Sequence, residues 1–310
     1  MYNFNHLYYF YITAKSGSVM DAAVHLRISQ PSLSSQLKVL QRSFGFRLFR
    51  RVGRKNELTE GGMLIYGYCR QMFELAEDMA ESLAKDVPSG TRKIRIGVSD
   101  EVDRPFVVEI VSLFLKRHGL AQRPKVTVVS GSESQLFERL RFRELDVVFT
   151  EKAMFDPDFN NLEHARVPVV LACPRGWKVR SDTSKLKASA AVREIISGEE
   201  AQWVMPSAKF KLRSEIDAFF EKNNLKGRMI FESDVVASLV RSVIDEIGLA
   251  FLPLLYIARE FREGSLRVLG PKEGYWKYRV WLVCHNQNRD DALLKTLATS
   301  FMEICRQAVI

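Results

Sequence analysis

The sequence predicts two kinds of fold in one chain: a small helical module, and a larger α/β part with two lobes, joined by one long helix. Three observations support this. Residues 1–58 contain short patterns of helical period, residues 59–90 contain a single long one, and strand and helix patterns alternate from Lys93 onward. A length of 310 residues suits two or three domains.

The composition is that of an ordinary globular protein. Apolar residues make up 46% of the chain and charged residues 27%. No apolar run is long enough to span a membrane, and the N-terminus lacks the pattern of a secretory signal, so we expect a cytoplasmic protein without a membrane partner. The scattered cysteines predict reduced thiols rather than disulfides or a zinc site. They are Cys69, Cys173, Cys284 and Cys305.

Basic charge is concentrated at the N-terminus. Residues 1–58 contain nine Lys and Arg against two acidic residues, whereas residues 59–90 contain two against six. A concentrated basic module is typical of a protein that binds a polyanion. A solubilising surface would give the same charge, so charge alone leaves both interpretations open.

Three short helices are predicted in the first 45 residues. Ser18 can cap the second helix, Pro31 suits the first turn of the third, and Gly45 ends it. A helix, a tight turn and a second capped helix make a helix-turn-helix unit. The third helix has a buried apolar stripe formed by Leu33, Leu37, Leu40 and Phe44.

The third helix is predicted to expose small polar side chains at its N-terminal half. Hydroxyls and amides there suit contacts with base edges or phosphates in a major groove, although a merely solvated surface has the same pattern. Residues 46–58 interleave cations with apolar residues and predict a two-stranded wing whose cations meet phosphates. The predicted outer and flanking positions of the helix include Pro31, Ser32, Ser34, Ser35, Gln36 and Lys38.

This N-terminal part resembles the LysR-type transcriptional regulators. The matching segments are FNHLYYFYITAKSGS, DAAVHLRIS, SQPSLSSQLKVLQ and LFRRVGRKNELTEGG, and the NHLYYF opening is most similar to the branch that activates sodium/proton antiporter genes. The resemblance implies an all-α winged helix-turn-helix domain that binds double-stranded DNA. The contacts it implies come from Gln30, Pro31, Ser32, Ser34, Ser35, Gln36, Arg51 and Arg54.

The chain departs from the family at one of these positions. Many members carry a basic or longer side chain where this chain has Ser35. We therefore expect base reading to depend more on Gln30, Gln36 and DNA shape. The resemblance further implies a small-molecule or ion effector and a homodimer or homotetramer, with RNA polymerase as a candidate partner.

A long amphipathic helix is predicted from about Glu60, capped by Thr59, to the linker Pro88-Ser89-Gly90. Its apolar side chains recur at steps of three and four residues, like the seam of a coiled coil. Such a helix has no core of its own, so we expect it to pair with a second copy; packing on its own DNA-binding domain is the alternative. The seam comprises Ile65, Tyr68, Met72, Leu75, Met79 and Leu83.

The C-terminal part, residues 91–310, is predicted to contain parallel sheets covered by helices. The alternation stops at residues 151–166, which we interpret as a loop, and VPVVLACPRGW then predicts a strand that crosses between lobes. LDVVFT, VLACPRG and IGLAFLP are similar to the effector domain of the same family, which implies a two-lobed, periplasmic-binding-protein-like fold. Lobe I would contain residues 91–165 and 285–310, and lobe II residues 166–284.

An effector is expected between the lobes, where the carboxyl ends of the strands meet. Hydroxyls and amides at helix starts suit a small anion, whereas Asp100, Glu133 and Glu232 suit a cationic or zwitterionic ligand or act as helix caps. The candidate residues are Ser99, Asp100, Gly131, Ser132, Glu133, Thr150, Ser207, Glu232 and Ser233.

No catalytic constellation is found in the sequence. Nucleophile-elbow, phosphate-loop, dinucleotide-binding and HExxH motifs are missing, and the five histidines are isolated. We therefore expect neither a catalytic site nor a metal or cofactor, and we interpret the chain as a regulator. The competing hypothesis is a binding protein or transferase with a basic N-terminal extension.

Overall fold

The computed structural model describes residues 2–52, 55–84, 92–177, 187, 190–192 and 201–307. The chain forms two compact units, each described by itself below. The first comprises Met1–Lys93, Leu120–Lys125 and Glu138–Leu145, and the second Ile94–Gly119, Val126–Phe137 and Asp146–Ile310. The Pro88-Ser89-Gly90 linker lies outside the described residues, and the predicted domain boundaries stay predictions. In the described ranges, no helix has the length and hydropathy needed to cross a membrane.

The first unit begins with three capped helices: α1 (Phe4–Ser16), α2 (Val19–Leu26) and α3 (Gln30–Phe44). The Ser18 hydroxyl accepts a hydrogen bond from an N–H group in the first turn of α2, and Ser29 does the same for α3. Gly45 ends α3 with φ 79°, a left-handed conformation that suits glycine. The caps predicted at Ser18 and Gly45 are confirmed.

A small apolar core joins these helices. Phe10 of α1 and Leu33 of α3 are both completely buried in it. Ala22 and Ala23 of α2 are buried as well, and their small side chains let α2 approach its neighbours closely. The other buried members of this core are Tyr11, Ile12, Leu37, Leu40, Leu48 and Cys69.

A two-stranded wing and a long helix follow. The wing consists of the antiparallel strands β1 (Phe49–Val52) and β2 (Lys55–Leu58). Helix α4 (Glu60–Ala84) begins directly after it, and the Thr59 hydroxyl accepts a hydrogen bond from the Gly62 N–H at 3.0 Å. The predicted cap at Thr59 is therefore confirmed.

From residue 93 onward the described chain alternates strands and helices. The strands are β3 (Lys93–Ser99), β4 (Lys125–Gly131), β5 (Val147–Thr150), β6 (Phe159–Pro174), β7 (Gln202–Pro206), β8 (Arg228–Ser233), β9 (Ala250–Pro253), β10 (Leu266–Leu269) and β11 (Trp276–His285). The α-helices are α5 (Arg104–Lys116), α6 (Glu133–Arg141), α7 (Lys211–Asn223), α8 (Val236–Ile244), α9 (Ala258–Arg262) and α10 (Ala292–Gln307).

Two long antiparallel strands, β6 and β11, connect the lobes of this part. The strand order is β10-β6-β11-β5-β3-β4, β9 also pairs with β6, and β7 pairs with β8 in a separate parallel pair. One end of β11 pairs with β5, whereas the C-terminal end of β6 pairs with β9 and β10. The predicted two-lobed α/β fold with a crossing strand is thus confirmed.

The interpretation of residues 151–166 as a loop is wrong for residues 159–166. These residues form the first half of β6, which runs without interruption over 16 residues. Asn, Glu, His and Arg dominate the segment and resemble a loop in composition, but β11 supplies its backbone partners, with Trp281 opposite His164 and Val280 opposite Ala165. Strand pairing with a segment more than 100 residues away leaves no local signal.

Gly62 is a position where a side chain cannot be accommodated. A Cβ atom there would collide with the carbonyl oxygen of Leu48, which is backbone and cannot rotate away. A Cβ at the neighbouring Gly61 would come within 2.6 Å only of the ring of Phe46, a side chain that is 42% exposed and can move. The close approach of α4 to the wing therefore depends on Gly62.

We predict that Gly62→Ala destabilises the N-terminal helices by about 1–3 kcal/mol, because it overpacks a backbone contact. Gly61→Ala, the matched control, should be nearly neutral, since the helix propensity of alanine offsets the shift of Phe46. Hydrogen–deuterium exchange of peptides from residues 4–58 in the full-length protein measures the stability of these helices in both variants. Equal protection in the two variants would contradict the prediction.

Candidate DNA interface and effector site

Helix α3 presents a polar surface at its N-terminal end. Ser32 and Ser35 are exposed, Ser34 and Gln36 are half-buried, and the intervening Leu33 is completely buried. Within the part of the chain that the structure describes, the Ser32 and Ser35 hydroxyls have no hydrogen-bond partner. These groups are therefore available to an external ligand. We call Gln30, Pro31, Ser32, Ser34, Ser35 and Gln36 the α3 surface.

The backbone adds positive potential to the α3 surface. The first turn of a helix has N–H groups without intrahelical partners, and the helix dipole makes this end electropositive. The first turn of α3 contains no acidic residue that would neutralise it. An anion such as a phosphate is therefore favoured at this end.

The two described arginines of the wing differ in their cross-strand partners. Arg50 lies opposite Glu57, and its Nη2 is 3.3 Å from Oε2 of that carboxylate. Arg51 lies opposite Asn56, is exposed, and forms no ion pair with any described residue. Arg51 is thus the available cation of the first wing strand. Arg54, the other predicted wing contact, lies outside the described residues.

Gln41 fixes the wing to α3, a role that the sequence analysis missed. Its Oε1 accepts hydrogen bonds from the N–H groups of Leu48, at 2.8 Å, and Phe49, at 3.5 Å. The contact joins the C-terminal half of α3 to the beginning of β1. A half-buried Gln that follows an apolar stripe is a weak local signal, because its partners are backbone groups seven and eight residues away.

Basic residues surround α3, and they include the predicted contact residue Lys38. Lys38, Arg42 and Arg47 line a shallow depression of about 400 Å³ at the C-terminal end of the helix. Arg27, in the turn before α3, is exposed and adopts a left-handed conformation with φ 55°. This conformation costs a residue other than glycine roughly 1–2 kcal/mol. The sequence pattern does not reveal this strain.

The apolar seam of α4 is exposed over most of its length. Leu75 is 71% exposed, Met79 61% and Tyr68 45%, and Leu64, which the sequence analysis left out, is 43% exposed. Ile65 differs from the prediction, because it packs against the N-terminal core. The exposed side chains at 64, 68, 75 and 79 keep heptad-like spacing. Met72 is half-buried, and the side chain of Leu83 lies outside the described ones.

The lobe I candidates for effector binding meet at the ends of β3, β4 and β5. The Asp100 N–H donates to the Gly131 carbonyl at 3.1 Å, which joins two of these strand ends. The Thr150 hydroxyl donates to Glu133 at 2.5 Å, and the Lys152 ammonium donates to the same carboxylate at 2.8 Å. Ser99 and Thr150 are buried here.

The lobe II candidates follow β7 and β8. The Ser207 N–H donates to the carbonyl of Ser233 at 2.9 Å, and the Ser233 hydroxyl accepts from the Val235 N–H at 3.0 Å. Glu232 pairs with Arg213 at 2.9 Å. These three candidates are thus brought together at one end of the β7–β8 pair.

Four residues that the sequence analysis missed join the lobes. The backbone N–H of Lys211 donates to Glu101 at 2.9 Å, and the Lys211 ammonium lies 3.5 Å from the carbonyl oxygen of Glu151. The buried Tyr278 hydroxyl donates to the buried Glu151 carboxylate at 2.5 Å. Burial raises the pKa of Glu101 above its ordinary value, so its ionised form is disfavoured. The sequence signal that could have identified Glu151 is its position directly after Thr150, at the end of a strand.

Helix capping explains part of the candidate set. The Ser132 N–H donates to the Gln135 side-chain oxygen at 3.4 Å, as in a capping box. Asp103, not Asp100, caps α5 by accepting from the Phe106 N–H, and Asp100 pairs with Arg104. Glu133 and Glu232 are held in ion pairs with Lys152 and Arg213.

The thiols are poor nucleophiles. Burial raises the pKa of Cys69, Cys173 and Cys305 to about 12 and that of Cys284 to about 11, so all four are protonated at neutral pH. Among the described side chains, no group of three or more His, Cys, Asp or Glu residues is placed to hold a metal ion.

Two family models match the chain and together cover most of it. Residues 4–63 match the model described as bacterial regulatory helix-turn-helix protein, lysR family, and residues 89–308 match the LysR substrate binding domain. Both models describe parts of regulators rather than enzymes.

Individual proteins are similar at low identity. The transcriptional activator CmpR of Synechocystis is 24% identical over 292 residues, which cover 94% of this chain and 90% of CmpR. The activator protein NhaR of Escherichia coli is 28% identical over 149 residues, 48% of each chain. A full-length OxyR structure from Pseudomonas aeruginosa superimposes with a TM-score of 0.63 at 16% identity, covering 99% of this chain and 97% of the other. At that identity the superposition shows a shared fold alone.

We predict that Arg51→Ala weakens binding to any polyanionic duplex and lowers the dependence of log K on log salt by about one unit. Without the Arg51 cation, binding neutralises one phosphate fewer and releases one counterion fewer from the DNA. Arg50→Ala is the matched control and should change the slope less, because Arg50 is already paired with Glu57. Fluorescence anisotropy with a labelled duplex at several salt concentrations measures the slopes. Identical slopes for Arg51→Ala and the unaltered protein would exclude a phosphate contact.

Proposed function

The chain belongs to the LysR family of bacterial transcriptional regulators, and we propose that it reads DNA by inserting the α3 surface into a major groove. The observation that carries this proposal is the concentration of unpartnered hydroxyls, the side-chain amides of Gln30 and Gln36, and helix N-terminal N–H groups at one end of α3. Donors and acceptors of this kind match the edges of base pairs in a major groove. Nearby cations suit the flanking phosphates.

Arg51 and Lys38 supply the sequence-independent part of this binding. Both are exposed, and phosphate contacts position a protein on a duplex without reading its bases. Arg27 is a further candidate, because it is exposed in the turn directly before α3. A regulator that binds the bacterial chromosome acts in the cytoplasm.

A gel-shift titration at rising salt tests the function. The full-length protein should form a complex with DNA from upstream of its own gene that survives at salt concentrations where the complex with random DNA is lost. Footprinting should reveal a protected stretch with two-fold symmetry. Equal, purely salt-driven binding to both DNAs would instead favour a binding protein or transferase with a basic extension.

We predict that Gln36→Ala weakens binding to the cognate site by about 1–3 kcal/mol, because the amide of Gln36 would lose a base contact. Binding to a scrambled site should change much less. Competition titrations with both duplexes give the two values. Equal losses at the two sites would assign Gln36 a backbone contact and would contradict a role in base reading.

We propose that the effector binds where Thr150, Glu133 and Lys152 of lobe I face Glu101 and Lys211 at the lobe junction. Polar groups converge there from the strand ends, the usual place for ligands of open α/β sheets. The predicted positions Ser99, Asp100, Gly131, Ser132, Ser207, Glu232 and Ser233 lie at strand ends of the two lobes and remain candidates for contacts with it. By linkage, an effector bound there alters DNA affinity only if it binds the two functional states differently.

We propose that the exposed seam of α4 pairs with α4 of a second copy. Leu64, Tyr68, Leu75 and Met79 present apolar side chains over about 22 Å of helix, too much to leave solvated without a partner. A dimer would present two α3 surfaces to a two-fold site. Two dimers would make the homotetramer that the family resemblance implies, and RNA polymerase is the partner that an activator would contact.

We predict that Leu75→Asp weakens self-association at least tenfold, because it places a charge in an apolar seam. Phe155→Asp is the matched control, since Phe155 is 95% exposed but lies outside α4. Sedimentation velocity over a range of concentrations gives the association constants. If Leu75→Asp sediments like the unaltered protein, the seam is not the interface.

A further inference from the structure

An apolar groove lies along α5, away from the strand ends that form the proposed effector site. Its volume is about 390 Å³, within the range of small-molecule pockets. One wall is α5, and the other is formed by the short 3₁₀ helix Leu254–Tyr256, by α9 and by the end of α10. We call this the α5 groove. All of these segments belong to the second compact unit.

The α5 groove has apolar walls. Leu113 contributes from the middle of α5, and Leu254, Leu255, Phe261 and Ile304 contribute from the opposite side. Leu254 and Leu255 are buried, whereas Leu113, Phe261 and Ile304 are only half-buried, because the groove leaves part of their surface uncovered. An apolar ligand would remove this surface from water, which stabilises the complex.

The charges of the α5 groove differ at its two ends. At one end, Glu109 pairs with Arg262 at 3.4 Å, and the Arg262 Nε also donates to the Ala258 carbonyl at 3.1 Å. At the other end, the Lys116 ammonium is exposed and makes no ion pair or hydrogen bond with any described residue. The lining therefore has one uncompensated positive charge, located at the Lys116 end.

The spacing along α5 sets the length of a matching ligand. Glu109 and Lys116 are seven residues apart, so they lie on the same side of the helix about 10 Å from each other. Leu113 lies between them on that side. A chain of about eight to ten carbon atoms would span this distance with its head group at Lys116.

We propose that the α5 groove binds a medium-chain carboxylate, with the carboxylate at the Lys116 ammonium and the apolar chain between Leu113 and Phe261. A carboxylate compensates the one unpaired charge of the lining, whereas an amine would be repelled there. The ion pair of Glu109 and Arg262 at the opposite end offers no unpaired charge to a second polar group, so the tail of the ligand should be apolar. This site is separate from the inter-lobe site proposed for the effector.

Isothermal titration of the full-length protein with octanoate, below its micelle concentration, tests the proposal. Octanoate should bind at one site and about tenfold more tightly than hexanoate, because each methylene buried adds several-fold in affinity. Octylammonium should not bind. A failure of octanoate to bind, or equal affinity for octanoate and octylammonium, would overturn the proposal.

Three variants test whether octanoate binds in the α5 groove. Lys116→Gln should weaken octanoate binding about three- to fivefold, as expected for an exposed ion pair, and leave the binding of 1-octanol unchanged. Lys222→Gln, which removes an exposed lysine from the end of α7, is the matched control and should have no effect. Ala258→Phe should fill the groove and abolish the binding of both ligands.

Three outcomes contradict the α5 groove as a carboxylate site. Undiminished octanoate binding by Ala258→Phe would place the ligand elsewhere, and an unchanged affinity of Lys116→Gln would remove the role of its charge. A second copy of the chain could also occupy the groove. In that case the groove would already be filled in the oligomer, octanoate would show no saturable binding to the full-length protein, and this result would equally overturn the proposal.

Discussion

The antiparallel pair of β6 and β11 is the interaction on which the α/β part of this protein depends. Their register runs from Trp276 opposite Val169 to His285 opposite Phe159, with one irregularity after Leu282. Because both strands extend through the two lobes, the residues that follow β3 and β5 come near the beginning of α7. The proposed effector site depends on this pairing, since its residues derive from strand ends far apart in the chain.

The DNA-binding part depends on a different constraint, the close approach of α3, the wing and α4. The backbone of Leu48 contacts all three of these elements. Its N–H donates a hydrogen bond to the side chain of Gln41 in α3. Its carbonyl oxygen accepts a hydrogen bond from the N–H of Thr59 and lies against Gly62 in α4. The position of Arg51 relative to the α3 surface follows from these backbone contacts. A rigid support of this kind is needed when a few side chains must meet base edges and phosphates together.

The helices of the DNA-binding part were well predicted from the sequence, because their signals are local. Caps at Ser18 and Thr59 and the left-handed end at Gly45 act within a few residues of themselves, and the buried stripe of α3 repeats within one helix. The polar groups that converge at the lobe junction were identified from the sequence only in part, and their role in effector binding stays a prediction. Thr150 and Glu133 were found as strand-end residues, but Lys211 and Tyr278 were missed, because only sheet pairing and helix packing bring them to Glu101 and Glu151.

Local periodicity, charge clustering and capping motifs therefore establish the helix-turn-helix, the linker helix and the basic character of this chain without reference to its folded form. The folded chain decides which groups remain available. Arg50 and Arg51 are neighbours of identical chemistry, and only cross-strand pairing with Glu57 distinguishes them. Likewise, Ile65 enters a core while Leu64 stays exposed. The physical reason is that availability depends on burial and partners, which are properties of three-dimensional packing rather than of residue type.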